Sequence, residues 1–299
     1  MIGRRLLLAL WLLPAMLPAG AAAPLSGKLV STGSDTLGAL TAMWAQSLMR
    51  REPRVNVQVR AIGSSAAPTA LVQGTADIGP MSRPMTRGER GKFRSRFGYE
   101  PTAVPVALDT LAVFVHRDNP LRALTRRQLD GLFSVTRRCG ASRPLQRWSE
   151  LGVVGDTAQR RASRYGRSAA SGTYGFFRRR VLCNGDFAAE VNRLVGSAAV
   201  VSAVARDRDG IGYASAGFVH DGVRRLQVRD AVGGQLPLSR ELLLYLNLPP
   251  GSPLPPLIAA FVATALDERG QDSVRSAGYE PLPAARRVAL RRRLGLPAR

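Results

Sequence analysis

Short Gly/Ser/Thr loops, each set where a strand hands over to a helix, constrain this 299-residue chain more than any other feature. They read Gly33-Ser34-Asp35-Thr36, Gly63-Ser64-Ser65 and Ser171-Gly172-Thr173, and Arg167 stands just ahead of the last. A helix start carries unpaired backbone N–H groups and a partial positive charge, which suits an oxyanion. Small residues let the backbone approach, and hydroxyls add donors without bulk. Taken singly, each loop has a plainer reading, since Ser and Thr before a helix are ordinary N-caps and a lone Arg is an ordinary surface charge. Taken together, with no catalytic base nearby, they point to a grip on a small tetrahedral anion.

The segments between these loops alternate. Lys28–Ser31 reads as a short strand, and Leu37–Arg51 as an amphipathic helix with Leu40, Met43, Trp44 and Leu48 on one face. Val55–Val59 alternates with period two, as a half-buried strand does. The Gly63–Ser65 loop opens a short helix that ends near Gly74, and Ala76–Gly79 is a third strand. Thr86 and Glu89 have capping-box spacing, as do Thr125 and Gln128. Between them, the apolar stretch Val104–Val115 runs until Asn119-Pro120 breaks it. Such alternation predicts an α/β protein with covered sheets, and the length favours two domains. The basic tail Arg286–Arg293 reads as a solvated helix face.

At the N-terminus, Arg4-Arg5, the apolar run Leu6–Leu17 and the small residues Ala19–Ala23 have the layout of a cleaved secretory signal. The chain is therefore expected to be exported and soluble. In an oxidising compartment, Cys139 and Cys183, the only cysteines, point to a disulfide, with two buried free thiols as the other reading.

The charge is lopsided: 43 Lys and Arg against 21 Asp and Glu give +22. The arginines are scattered rather than gathered into one stripe with aromatics, so no specific nucleic-acid partner is expected. A genomic preference for arginine explains the excess as well as a polyanion does. His116 and His220 are the only histidines, and neither sits in a metal motif. There is no Gly-x-Ser-x-Gly elbow and no P-loop ending, so neither an enzyme, a metal site nor a cofactor is implied.

Several segments, in their order, carry a resemblance: Asp77-Ile78-Gly79 before Ser82-Arg83, Val106-Ala107-Leu108-Asp109, Asn119-Pro120-Leu121, Trp148, Arg167 to Thr173, Gly210-Ile211-Gly212-Tyr213 and Gly278-Tyr279-Glu280-Pro281-Leu282. With the loops, they resemble the phosphate-binding proteins of bacterial phosphate ABC transporters over nearly the whole mature chain. The resemblance implies a two-lobed periplasmic binding protein of type II, each lobe a mixed sheet flanked by helices, with two hinge crossovers. Residues 1–23 would be the signal, 24–107 and 242–299 the first lobe and 108–241 the second. The crossings would fall near Leu108-Asp109 and Arg240-Glu241.

Carried over by position, the resemblance implies that Ser34, Asp35, Thr36 and the Leu37 backbone N–H line one side of the anion with Ser64, Ser82 and Arg83. Arg167, Ser171, Gly172 and Thr173 would line the other. It implies inorganic phosphate as ligand, a monomer in the periplasm, and the permease subunits of an inner-membrane transporter as partner. Sulfate, molybdate or arsenate, or a phosphate-sensing role, are the alternatives within the same fold.

Two positions depart from the pattern. Arg83 stands where the family places an aspartate that accepts the proton of hydrogen phosphate. Asp35 is the replacement acceptor expected here, with Arg83 adding positive charge; its other reading is a helix cap. Ala169 replaces an acidic residue beside the pocket arginine, which predicts a less constrained Arg167.

Overall fold

The computed structural model describes residues 24–230 and 232–297, so the signal assigned to residues 1–23 lies outside the described residues. In chain order the elements are β1 (Gly27–Thr32), α1 (Gly38–Arg51), β2 (Val55–Arg60), α2 (Ala66–Gln73), β3 (Ile78–Met81), α3 (Arg87–Phe97) and β4 (Thr102–His116). There follow β5 (Ala123–Thr125), α4 (Arg126–Phe133), a 3₁₀ turn at Trp148–Leu151, β6 (Ser163–Arg167), α5 (Gly172–Arg180), β7 (Asn192–Leu194) and α6 (Ser197–Arg206). The chain closes with β8 (Gly210–Ser215), β9 (Val223–Arg229), β10 (Ser239–Leu246), α7 (Pro256–Leu266), α8 (Glu268–Ser276) and α9 (Ala284–Arg293).

Strand order is β2-β1-β3-β10-β4-β8-β6-β7, with β9 beside β4 and β5 beside β9. The long strand β4 changes partners midway. Its residues up to Thr110 pair antiparallel with β10, while Leu111 onward pairs with β8 and then β9. One continuous strand thus passes from one sheet to the next, and β10 runs back beside it.

Four hydrophobic clusters cover the two sheets, one on each face. Trp44 and Leu40 of α1 meet Phe261 of α7 on one face of the first sheet, and Phe93 of α3 packs with Leu71 and Met81 on the other. In the second sheet, Phe133, Trp148, Phe177 and Tyr213 pack on one side, with Phe114, Val200 and Val204 opposite. The buried members of the first two clusters come from residues 29–107 and 242–296, and those of the second two from 111–238. The fold is therefore α/β and two-lobed, with helices on both faces of each sheet.

Both predicted capping boxes form, Thr86 with Glu89 on α3 and Thr125 with Gln128 on α4. Gly74 ends α2 in the left-handed region at φ 68°. The third strand starts at Ile78 rather than Ala76, because the Asp77 carboxylate accepts the Val30 N–H at 2.7 Å and takes the place of a ladder bond. The tail helix α9 is not solvated on every side: Arg291 is buried and donates to the carbonyls of Pro297 and Ala263. Cys139 and Cys183 form a disulfide with Cα atoms 5.3 Å apart, tying the loop after α4 to the turn after α5. In the chain-entropy description, a loop of that size contributes about 3–4 kcal/mol.

Candidate functional site

The loops at the ends of β1, β2 and β3 are stitched to one another. Ser34 N–H donates to the Pro80 carbonyl at 2.7 Å, and Gly63 N–H to the Gly33 carbonyl at 2.8 Å. A side chain on Gly33 would collide with the Pro80 carbonyl, which is why the turn needs glycine there. Facing this rim from the second lobe is the start of α5, the turn after β6.

Arg167 stands at the centre, with its side chain fully buried. Its Nη2 pairs with the Asp35 carboxylate of the first lobe, its Nη1 donates to Ser197 Oγ, and its backbone N–H donates to the Tyr213 hydroxyl at 3.3 Å. Among the described residues, Nε has no hydrogen-bond partner, and neither does the buried hydroxyl of Ser34. Burial pushes the guanidinium below its ordinary pKa. The Asp35 carboxylate pulls it back, and Arg240 adds a further downward push. A guanidinium stays charged through shifts of this kind.

Beside it the two lobes meet through hydroxyls. Thr36 Oγ1 and Thr173 Oγ1 lie 3.1 Å apart, and Tyr279 donates its hydroxyl to the Thr36 carbonyl at 2.6 Å. Arg240 Nη2 donates to Thr173 Oγ1 at 2.8 Å, and its Nε and Nη2 both reach Asp109 Oδ2, at 2.9 and 2.7 Å. Asp109 also accepts from Ser215 Oγ. Asp109 and Arg240 face each other across β4 and β10, so the pair is set by sheet register.

On the other side, Ser64 Oγ accepts the Ser82 N–H at 3.1 Å, and the two hydroxyls are 3.3 Å apart. Gly172 presses directly on both; any side chain there would collide with them. Ser65 N–H donates across the lobes to the Ala170 carbonyl at 3.1 Å. Ser171 behaves as a plain N-cap, accepting the Thr173 N–H at 3.1 Å. Leu37 is buried at the start of α1. The arrangement is thus a closed seam of hydroxyl, amide and guanidinium donors contributed by both lobes.

The PBP superfamily domain description matches residues 18–262. Over 276 residues the chain is 45% identical to the phosphate-binding protein PstS of Pseudomonas aeruginosa, spanning 88% of this chain and 85% of that protein. This chain belongs to the phosphate-binding protein family. It is also 25% identical over 268 residues to the protein SphX of Synechococcus elongatus, across 84% of this chain and 77% of that one. A Clostridium perfringens protein solved with bound phosphate superposes with a TM-score of 0.70 at 24% identity, over 86% of this chain and all of the other. An ABC-type phosphate transport receptor from Vibrio cholerae gives 0.65 at 21%, again over 86% of this chain and all of the other.

Within this phosphate-binding protein family member, three sequence expectations take a different form. Arg83 brings no uncompensated charge, because its guanidinium forks onto Glu89 at 2.7 Å through both Nη atoms and also reaches Ser65 Oγ. The capping-box glutamate of α3 is the residue that neutralises it, and the arginine stem lies against Gly175 of α5. Asp35 is not a helix cap, since α1 begins without a side-chain cap bond. Its Oδ1 accepts the Thr36 N–H at 3.0 Å and its Oδ2 pairs with Arg167. Nor is Arg167 loosened by Ala169, because Asp35 and Ser197 hold it from two directions.

Sequence reading missed Ser197 and the Asp109–Arg240 pair. One signal was available: the first predicted crossing carries an acidic residue, Asp109, and the second a basic one, Arg240, each in a mostly apolar strand.

Proposed function

We propose that this chain binds inorganic phosphate between its lobes and delivers it to the permease subunits of an inner-membrane ABC transporter. The observation that carries the reading is Arg167, a fully buried guanidinium with an unpartnered Nε among the described residues, held by Ser197 of its own lobe and by Asp35 of the other. Charge-assisted donors of this kind suit an anion with several oxygens. The 45% identity to a phosphate-binding protein supports the choice of anion. On this reading Ser34, Thr36, the Leu37 N–H, Ser64 and Ser82 act from one lobe, and Arg167, Ser171, Gly172 and Thr173 from the other. Arg83 walls the site against α5. The lobes are taken as residues 24–107 with 242–299, and 108–241, in line with the segregation of the hydrophobic clusters. Export to the periplasm as a monomer fits the signal-like N-terminus and the disulfide.

The carboxylate that accepts a phosphate proton is assigned to Asp35. A ligand that takes over Arg167 Nη2 releases Asp35 Oδ2, which can then accept from hydrogen phosphate and reject fully ionised sulfate. A second reading, a site for another oxyanion, is favoured by one observation: Asp35 and Asp109 are both already paired with arginine. Calorimetric titration with phosphate, sulfate, arsenate and molybdate, with scattering before and after ligand, separates the two. Phosphate is expected to bind best and to compact the protein. Undetectable phosphate binding with an unchanged scattering profile would overturn the receptor reading.

A further inference from the structure

Besides Arg167 and Arg83, the described residues of the cleft include a buried guanidinium that the sequence pattern does not assign to the ligand. Arg240 lies on β10, one of the two strands that join the lobes, and its side chain is only 3% exposed. Its Nε–Nη2 edge faces Asp109, while the remaining Nη2 hydrogen goes to Thr173 Oγ1 at 2.8 Å. That geometry turns the opposite end of the guanidinium, which carries Nη1, toward the start of α5. Nη1 is buried and has no hydrogen-bond partner among the described residues. A buried donor without an acceptor costs free energy unless something completes it. Phe176, on the first turns of the same helix, supports the group from its ring face at 5.2 Å.

We propose that Arg240 is a second anion-binding arginine of the cleft, carried by the hinge and presenting Nη1 to a ligand seated against Thr173. The assignment rests on the phosphate-receptor reading above and extends it to a residue outside the loop pattern. Arg240 acts in two ways. Nη1 donates directly to an anion oxygen. Nη2, by donating to Thr173 Oγ1, occupies one of that oxygen's two lone pairs and leaves its hydrogen free to donate. Donation from Nη1, joined by the Thr173 hydrogen when it turns to the anion, favours ionised ligand oxygens over protonated ones. Asp109, itself held by the Ser215 hydroxyl, fixes the guanidinium from behind, so the donor is preset by β-sheet register rather than assembled when the lobes close.

The test is phosphate affinity measured on the acid and the alkaline side of the ligand's second ionisation. It compares the full chain with Arg240→Gln/Asp109→Asn. The double substitution removes both charges and leaves a neutral hydrogen-bonding pair, so no buried charge is orphaned; Arg240→Lys is a companion that keeps the charge. Circular dichroism and melting temperature without ligand report the fold. The expected result is a double variant that folds yet binds the phosphate dianion about 10- to 100-fold more weakly, as for loss of a hydrogen bond from a charged donor. The monoanion should lose less, and Arg240→Lys should fall between. Equal losses for the two ligand forms, or no loss, would reduce Arg240 to a hinge strut and overturn the proposal. If the unaltered chain bound no phosphate at all, the receptor reading would fall first, and this assignment with it.

Discussion

Two buried Arg–Asp pairs stand side by side in the cleft, and they are built in opposite ways. Asp109 and Arg240 face each other across neighbouring strands, with Asp109 held by Ser215 as well. Asp35 and Arg167 come from different lobes and meet only where the lobes close on each other. The carboxylates differ accordingly: the Asp109 side chain is 1% exposed and that of Asp35 is 10% exposed. A pair fixed by sheet register survives opening of the lobes, whereas a pair across a seam breaks when the seam opens. On the proposed function, Asp35 is therefore the partner that a ligand oxygen would replace at Arg167, while Asp109 would stay on Arg240. The hinge pair sets a charge in place, and the seam pair lets one go.

The most damaging way to break the comparison is Asp109→Ala, which leaves Arg240 buried and uncompensated. Chemical denaturation should show a loss of about 3–5 kcal/mol, as for other buried pairs with one partner removed. Asp35→Ala should lose much less, because Asp35 sits at the rim and Arg167 regains water when the lobes part. Equal losses would mean that the two pairs are alike. Next in size is Arg167→Ala, where the effect belongs to binding: phosphate affinity in calorimetry should fall by about 2–5 kcal/mol while the circular dichroism spectrum is retained.

Asp35→Asn sharpens the contrast further. The amide keeps the shape but loses the charge and one acceptor, so sulfate should gain on phosphate by about tenfold, the worth of one ordinary hydrogen bond. An unchanged sulfate-to-phosphate ratio would leave Asp35 as an anchor for Arg167 alone.

The smallest effect concerns Arg83 and Glu89, the third pair near the seam. Burial by itself would raise the Glu89 pKa, but the hydrogen bond from Arg83, the Thr86 N–H and the Arg83 charge together hold it below the ordinary 4.5. A carboxyl lowered in the folded state adds stability above that value and loses it as pH falls through the folded one. Glu89→Gln should thus cost up to about 1 kcal/mol near neutral pH and progressively less in acid. A cost that did not shrink in acid would separate the substitution from the ionisation of Glu89.

Local features were the readable ones. The capping boxes at Thr86 and Thr125, the period-two strand at Val55–Val59, the Gly74 stop and the loops at Gly33 and Gly63 each depend on neighbours a few residues away. Propensity and spacing are sufficient to specify them. The disulfide was legible for a different reason, since two cysteines in a chain whose sequence reads as exported allow one intramolecular pairing. The candidate site was half legible. Arg167 and the hydroxyl loops stood out as residue types in a pattern, but the atoms that each would touch did not.

Sequence alone therefore determined the strand–helix alternation and the three donor-bearing helix starts, because these are properties of short stretches of backbone. Tertiary structure alone decided that Asp35 answers Arg167, that Glu89 neutralises Arg83, and that Arg240 reaches Thr173 from the hinge. Asp35 and Arg167 are 132 residues apart, and Asp109 and Arg240 are 131 apart. Partners at such separations are chosen by strand register and by how the lobes close, which no local run of residues encodes.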